Sequence, residues 1–111
     1  MTTLRNSVQL IGRLGMNPET SNYGDNKSRV KFSLATNEFY KDKDGERQEE
    51  TQWHNVVAYG KTGEIAEKYV KKGDEIAIAG KITYRSWEDK DGKTNYITEV
   101  VANEIQMLGK K

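Results

Sequence analysis

Residues 51–61 read T-Q-W-H-N-V-V-A-Y-G-K, and the alternation in this stretch decides how the rest of the chain is read. Side chains on a strand point to opposite faces in turn. Trp53, Asn55, Val57 and Tyr59 therefore share one face, and His54, Val56 and Ala58 share the other. The second face is small and apolar enough to pack inward. The first carries two large aromatics around an amide, with Lys61 just beyond. On a face the core does not need, aromatics beside a cation form a stacking platform for unpaired bases. Ordinary packing is the competing reading.

The 111 residues fit one domain, 1–111, with one modest core. Hydrophobic residues make up 34% and charged residues 32%, so that core is economical. With 10 glycines against one proline, the composition suits a fold with many turns. There are no cysteines, which excludes disulfides and thiolate metal sites. A single histidine leaves little for a metal centre or acid–base catalysis, and no cofactor is expected. The first residues, M-T-T-L-R-N-S-V-Q-L, hold no signal-like apolar run, so the expected location is cytoplasmic. Net charge is only +1, yet the signs separate. Asp42, Asp44, Glu46, Glu49 and Glu50 crowd one loop, and Glu88, Asp89 and Asp91 another. The strand bodies carry Arg13, Arg29, Lys31, Lys61, Lys81 and Arg85, enough for a basic groove on a near-neutral protein.

Outward from the opening stretch, the period-2 pattern predicts a first strand over 5–14, with Val8, Leu10 and Leu14 opposite Gln9, Ile11 and Arg13. Gly12 within it predicts a bulge or bend. Residues 15–28 have loop chemistry. A second strand is expected over Arg29–Thr36, with Val30, Phe32 and Leu34 inward. Asp44-Gly45 signals a hairpin between it and the opening strand, with Tyr40 at its base. The period then changes: Ile65, Ala66, Tyr69 and Val70 form one face of a short helix. Thr62 is the expected N-cap, Glu64 lies in its first turn, Lys71 and Lys72 end it, and Gly73 is the C-cap. A long strand over 74–87, broken by Gly80, and a last strand over 94–108 flank the Asp91-Gly92 turn. No internal repeat, low-complexity tract or linker is expected. Three strands, a helix and two strands predict an all-β, five-stranded OB-fold, a Greek-key barrel with one short helix between strands 3 and 4 and long β-hairpins. A generic small α+β sheet is the alternative.

The platform set is Tyr40, Trp53, Tyr59 and Trp87, each beside charge or at a strand end. His54 faces away from it and reads as a structural or subunit-contact histidine. Gly60-Lys61-Thr62 looks like the end of a phosphate-binding loop, but that loop needs a glycine where Asn55 stands. The carboxylates offer no catalytic pair and no calcium-loop spacing, so no catalytic residue and no enzyme is expected.

The stretches N-S-V-Q-L-I-G-R-L-G-M-N-P-E, F-S-L-A-T-N-E-F-Y, T-Q-W-H-N-V-V-A-Y-G-K, A-E-K-Y-V-K-K-G, I-A-G-K-I-T-Y-R-S-W and Q-M-L-G together resemble the bacterial single-stranded DNA-binding proteins, over nearly all of residues 4–109. The resemblance implies an OB-fold that assembles with itself, usually as a homotetramer, and wraps single-stranded DNA without sequence preference in replication, recombination and repair. It implies stacking by Trp53, Tyr59 and Trp87, and by Tyr40 where the family often has tryptophan. Lys61, Tyr69, Lys72 and Arg85 match its DNA-contacting positions, and Asn55 stands where some members carry a base-contacting arginine. Arg13 and Lys31 join the phosphate-facing set on charge alone. His54 matches a histidine implicated in subunit assembly. The family usually continues into a flexible tail with an acidic tip that recruits replication and repair proteins. This sequence reads Gly109-Lys110-Lys111, and recruitment of that kind is not expected. A dimeric OB-fold module of the primosomal type, acting mainly through protein contacts, is the second reading. A small enzyme using the loop carboxylates is the third.

Overall fold

The computed structural model describes residues 4–24 and 27–109. The Lys110-Lys111 end and two residues of the predicted 15–28 loop lie outside them. The alternating stretches become strands: β1 Val8–Leu14, β2 Glu19–Gly24, β3 Lys27–Lys41, β4 Arg47–Tyr59, β5 Glu75–Glu88 and β6 Thr94–Gly109. One helix, α1 Gly60–Tyr69, joins β4 to β5. The sheet runs β1-β5-β6-β4-β3-β2, and β1 also pairs with β3, so five strands close into a barrel with β2 outside it. Every pairing is antiparallel except β4 with β6. This is the expected OB-fold plan.

Closure needs two strands to bend over their neighbours, and glycine makes both bends possible. A Cβ on Gly12 would stand 2.0 Å from the Ala35 carbonyl oxygen, where β1 leaves β5 for β3. A Cβ on Gly80 would stand 1.9 Å from the Val101 carbonyl oxygen, beside the register shift between Ala79 and Gly80. Inside the barrel, Val30, Phe32 and Leu34 meet Val56, Ile76, Ile78 and Val100, all buried. Burying each large apolar side chain contributes roughly 1.5–3 kcal/mol.

Several boundaries differ from the sequence expectation. β1 begins at Val8, not Arg5. In its place the Asn6 amide donates to the Ile82 carbonyl and accepts from its N–H, both at 2.9 Å, imitating one more rung of the β1–β5 ladder. The predicted loop contains β2, whose described side chains are exposed, so no burial alternation announces it. β3 and β4 run on to Lys41 and from Arg47, because backbone pairing continues along arms whose side chains are largely exposed on both faces. The Ile76, Ile78, Ile82, Tyr84 row of β5 likewise leaves the core, and Tyr84 is exposed.

The helix starts at Gly60 with Tyr59 as N-cap and ends at Tyr69 with Val70 as C-cap. Thr62 is thus inside it, its hydroxyl 3.4 Å from the Asn103 carbonyl, and Glu64 falls beyond the first turn. Lys71 and Lys72 follow the helix, and Lys68 is the cation of its last turn. Gly73, at φ +89°, serves the next turn, where its N–H donates to the Leu14 carbonyl. The buried stripe is Gly63, Ala66 and Val70, while Ile65 and Tyr69 face outward. The cause is close approach: a Cβ on Gly63 would come within 2.9 Å of the Ala58 carbonyl oxygen.

The structure also exposes a local repeat. D-K-D-G-E-R-Q at 42–48 and D-K-D-G-K-T-N at 89–95 form the same hairpin tip. Asp42 accepts from the N–H groups of Asp44 and Glu46 and from the Gln48 amide. Asp89 accepts from the N–H groups of Asp91 and Lys93 and from the Asn95 amide. Gly45 and Gly92 adopt φ of 80° and 81°, the left-handed position such tips require. These carboxylates organise turns in addition to meeting solvent.

Candidate nucleic-acid interface

Cross-strand register assembles one outer face from four strands. β3 contributes Arg29, Lys31 and Ser33, opposite Tyr59, Val57 and Asn55 of β4. Val57 is in register with Val101 of β6, and Val101 with Lys81 of β5. The same ladder brings Thr83, Arg85 and Trp87 of β5 opposite Glu99, Ile97 and Asn95 of β6. Trp53, Asn55, Val57 and Tyr59 therefore share a face, as alternation requires, and Trp87 and Arg85 join it from a distant part of the sequence. On the other side of β4, Val56 and Ala58 are buried. His54 is half-buried there, with a ring nitrogen 2.9 Å from the Thr36 hydroxyl.

The face is recessed. Val57 and Glu99 are buried, whereas the aromatics stand clear: Trp53 is 62% exposed, Trp87 49% and Tyr59 38%. Trp53 and Tyr59 are six residues apart on β4, about 20 Å along an extended chain. Trp53 has a seat, because a Cβ on Gly15 would fall 2.4 Å from its ring. Arg13 and Lys72 lie at this end. Arg13 pairs with Ala35, itself opposite Trp53, and its guanidinium donates to the Gly73 carbonyl at 3.0 Å. The Lys72 N–H donates to the Asn17 amide oxygen.

Arg85 and Glu99 form a two-point ion pair on the same face, Nε to Oε1 at 2.8 Å and Nη2 to Oε2 at 2.9 Å. The hydrogen bonds from Arg85 hold the Glu99 carboxyl below the usual carboxylate range against the opposing effect of burial, and the charges of Arg85, Arg29 and Lys31 add to the lowering. The same bonds raise Arg85, with a smaller contribution from Tyr59. Arg29, Lys31, Tyr59, Arg85 and Glu99 are thus one electrostatic cluster.

Three predicted residues lie off this face. Tyr40 is exposed on the opposite side of the β3–β4 ribbon, opposite Gln48. Phe39, which alternation alone does not single out, takes the Trp53 side, with the Arg47 guanidinium 4.5 Å from its ring centre. Lys61 and Tyr69 are on the helix, exposed, with Lys68 Nζ 5.7 Å from the Tyr69 ring centre. Sequence reasoning also missed Glu99 and Gly15. The signal for Glu99 was a lone carboxylate before the Val100-Val101 pair on a strand; for Gly15 there was none, since its reason is a ring distant in sequence. Among the described residues, no group of His, Cys, Asp and Glu could hold a metal ion, and no helix is long and apolar enough to cross a membrane.

The chain and its fold have counterparts among known proteins. Single-stranded DNA-binding protein 1 of Chlorobaculum tepidum is 47% identical over 107 residues, which are 96% of this chain and 66% of that protein. Single-stranded DNA-binding protein 1 of Xylella fastidiosa is 45% identical, over 96% of this chain and 79% of that one. The single-stranded DNA-binding protein of Xanthomonas axonopodis pv. citri is 44% identical, and the chain spans only 58% of its length. Among solved structures, the Plasmodium falciparum SSB complex with ssDNA matches with a TM-score of 0.83 at 30% identity, over 100% of this chain and 98% of that one. The sequence model of the single-strand binding protein family matches residues 5–108, and the chain belongs to that family.

Proposed function

We propose that the protein binds single-stranded DNA without sequence preference and protects it during replication, recombination and repair. The observation that carries this reading is the exposure of Trp53, Tyr59 and Trp87 on one basic sheet face. Each base stacked on an aromatic contributes about 1–3 kcal/mol. Arg13, Lys31, Lys61 and Lys72 supply phosphate contacts, Asn55 a polar contact, and Tyr40 and Tyr69 extend the path around the β3–β4 arm and the helix. The family is one of binding proteins, so the chain is not an enzyme. Its place of action is the nucleoid in the cytoplasm, where single strands arise.

We further propose self-assembly into a homotetramer. An exposed Ile11 beside Ala77 and Ala79, over a groove of about 470 Å³, supports an apolar contact surface, and the half-buried His54 belongs to the subunit-contact set. One observation favours the second reading, a dimeric module acting through protein contacts: Tyr84 and Tyr96 are exposed on the reverse of the β5–β6 arm.

Titration with poly-dT at two salt concentrations, beside a native mass measurement, tests these readings. Tryptophan fluorescence should fall on binding, and affinity should weaken as salt rises. Equal affinity for duplex of the same length would overturn the first reading, and a dimer mass without quenching would select the second.

A further inference from the structure

Arg85 stands where a phosphate contact is expected, yet its geometry suits another task. Two of its nitrogens are committed to Glu99 at 2.8 and 2.9 Å. The Glu99 side chain is 2% exposed and that of Arg85 is 47% exposed, so the carboxylate lies beneath the guanidinium and faces no ligand itself. Among the described residues this is the only Lys or Arg within 4.0 Å of a carboxylate. Lys31, on the same face, is exposed and unpaired in that sense. The pair also sits beside an aromatic: Trp87 is two residues along β5 on the same side, about 7 Å away along the strand.

A guanidinium neutralised by a buried carboxylate brings no net charge to a phosphate, so its contact releases few counterions. Its plane remains, and a fixed guanidinium plane stacks on bases. Two-point pairing to Glu99 fixes that plane in a way a lysine cannot match. We propose that Glu99 is a positioning residue that makes Arg85 a charge-compensated, base-facing plate continuing the Trp87 surface, not a phosphate clamp. This rests on the reading of the face as a single-strand interface. It divides the cations of that face into two kinds: Lys31 and its unpaired neighbours track the backbone, and Arg85 reads the presence of a base.

The test compares salt dependence and base dependence. Each phosphate contact to a single strand contributes roughly 0.7 to the slope of log affinity against log salt. Binding of oligo-dT should give a steeper slope in Glu99→Gln, by up to about 0.7, because the freed guanidinium can then meet a phosphate. The Arg85→Gln/Glu99→Gln pair should return to the wild-type slope. If Arg85 is already a phosphate clamp, Glu99→Gln keeps the wild-type slope and the double variant is shallower by about 0.7, which overturns the proposal. Arg85→Lys gives an independent reading should Glu99→Gln fail to fold. It should bind oligo-dT roughly tenfold more weakly, the order of one lost stack, yet bind an abasic strand of equal length as wild type does. Equal weakening on both strands sinks the proposal. No binding of oligo-dT by the wild type would instead remove the single-strand reading itself.

Discussion

The β3–β4 and β5–β6 hairpins turn on the same frame, an aspartate that gathers two backbone N–H groups and a side-chain amide before a left-handed glycine. Below the tips they diverge. The β3–β4 arm seats its tryptophan from outside, on the bare backbone of Gly15. The β5–β6 arm flanks its tryptophan from within, with the Arg85–Glu99 pair formed between its own two strands. The tip is therefore a local device, written in a few consecutive residues. The working surface of each arm is a tertiary device, written by whatever the register places opposite.

That contrast is broken most severely at the tryptophans. Trp53→Ala and Trp87→Ala should each weaken oligo-dT binding by roughly five- to 150-fold, the loss of one base stack, with little change in salt slope. Fluorescence anisotropy with a labelled strand measures both. If either variant binds as wild type does, that arm carries no stacking residue.

Gly15→Ala sharpens the comparison and should cost less. The added Cβ meets the Trp53 ring at 2.4 Å, so the ring must leave its seat, while Trp87 is untouched. Affinity should fall, but by less than in Trp53→Ala, and the fluorescence of Trp53 alone should shift. A Trp87→Phe background isolates that signal. An unshifted spectrum would mean the ring is not held by Gly15.

How much of this was legible in the sequence follows the same division. Alternation in 51–59 placed Trp53, Asn55 and Tyr59 together and sent Val56 and Ala58 inward. Asp-Gly marked both turns, and Gly12 and Gly80 marked both bends. β2 was illegible because its described side chains are exposed. Val57 shares the Trp53 face by alternation yet is buried, which the period of two does not announce. The helix boundaries moved because packing through Gly63 and Ala66, not the caps, sets which residues face inward. Tyr40 drew notice as an aromatic at a hairpin base, but its side of the ribbon follows only from register with β4. Glu99 pairs diagonally with Arg85 across two strands, a relation that needs the register to be known before it can be seen.

The smallest expected effect tests the tips. Asp42 is held below the ordinary aspartate range first by the Glu46 N–H, and Asp89 first by the Asn95 amide with the Lys93 N–H next. A carboxylate depressed on folding stabilises fully above its unfolded value, about 3.9, and that contribution disappears as pH falls through the lower folded value. Both tips should therefore keep their order at pH 6 and loosen together below about pH 4. Amide signals of Gly45 and Gly92, followed by NMR from neutral to acid pH, report each tip separately, because each N–H donates to the carbonyl of its own aspartate. Asp42→Ala should release the Gly45 signal at neutral pH and leave Gly92 unmoved, and Asp89→Ala should do the reverse. A tip that stays ordered after losing its aspartate would show that strand pairing, not the carboxylate, sets the turn, and the likeness between the two arms would then be one of sequence alone.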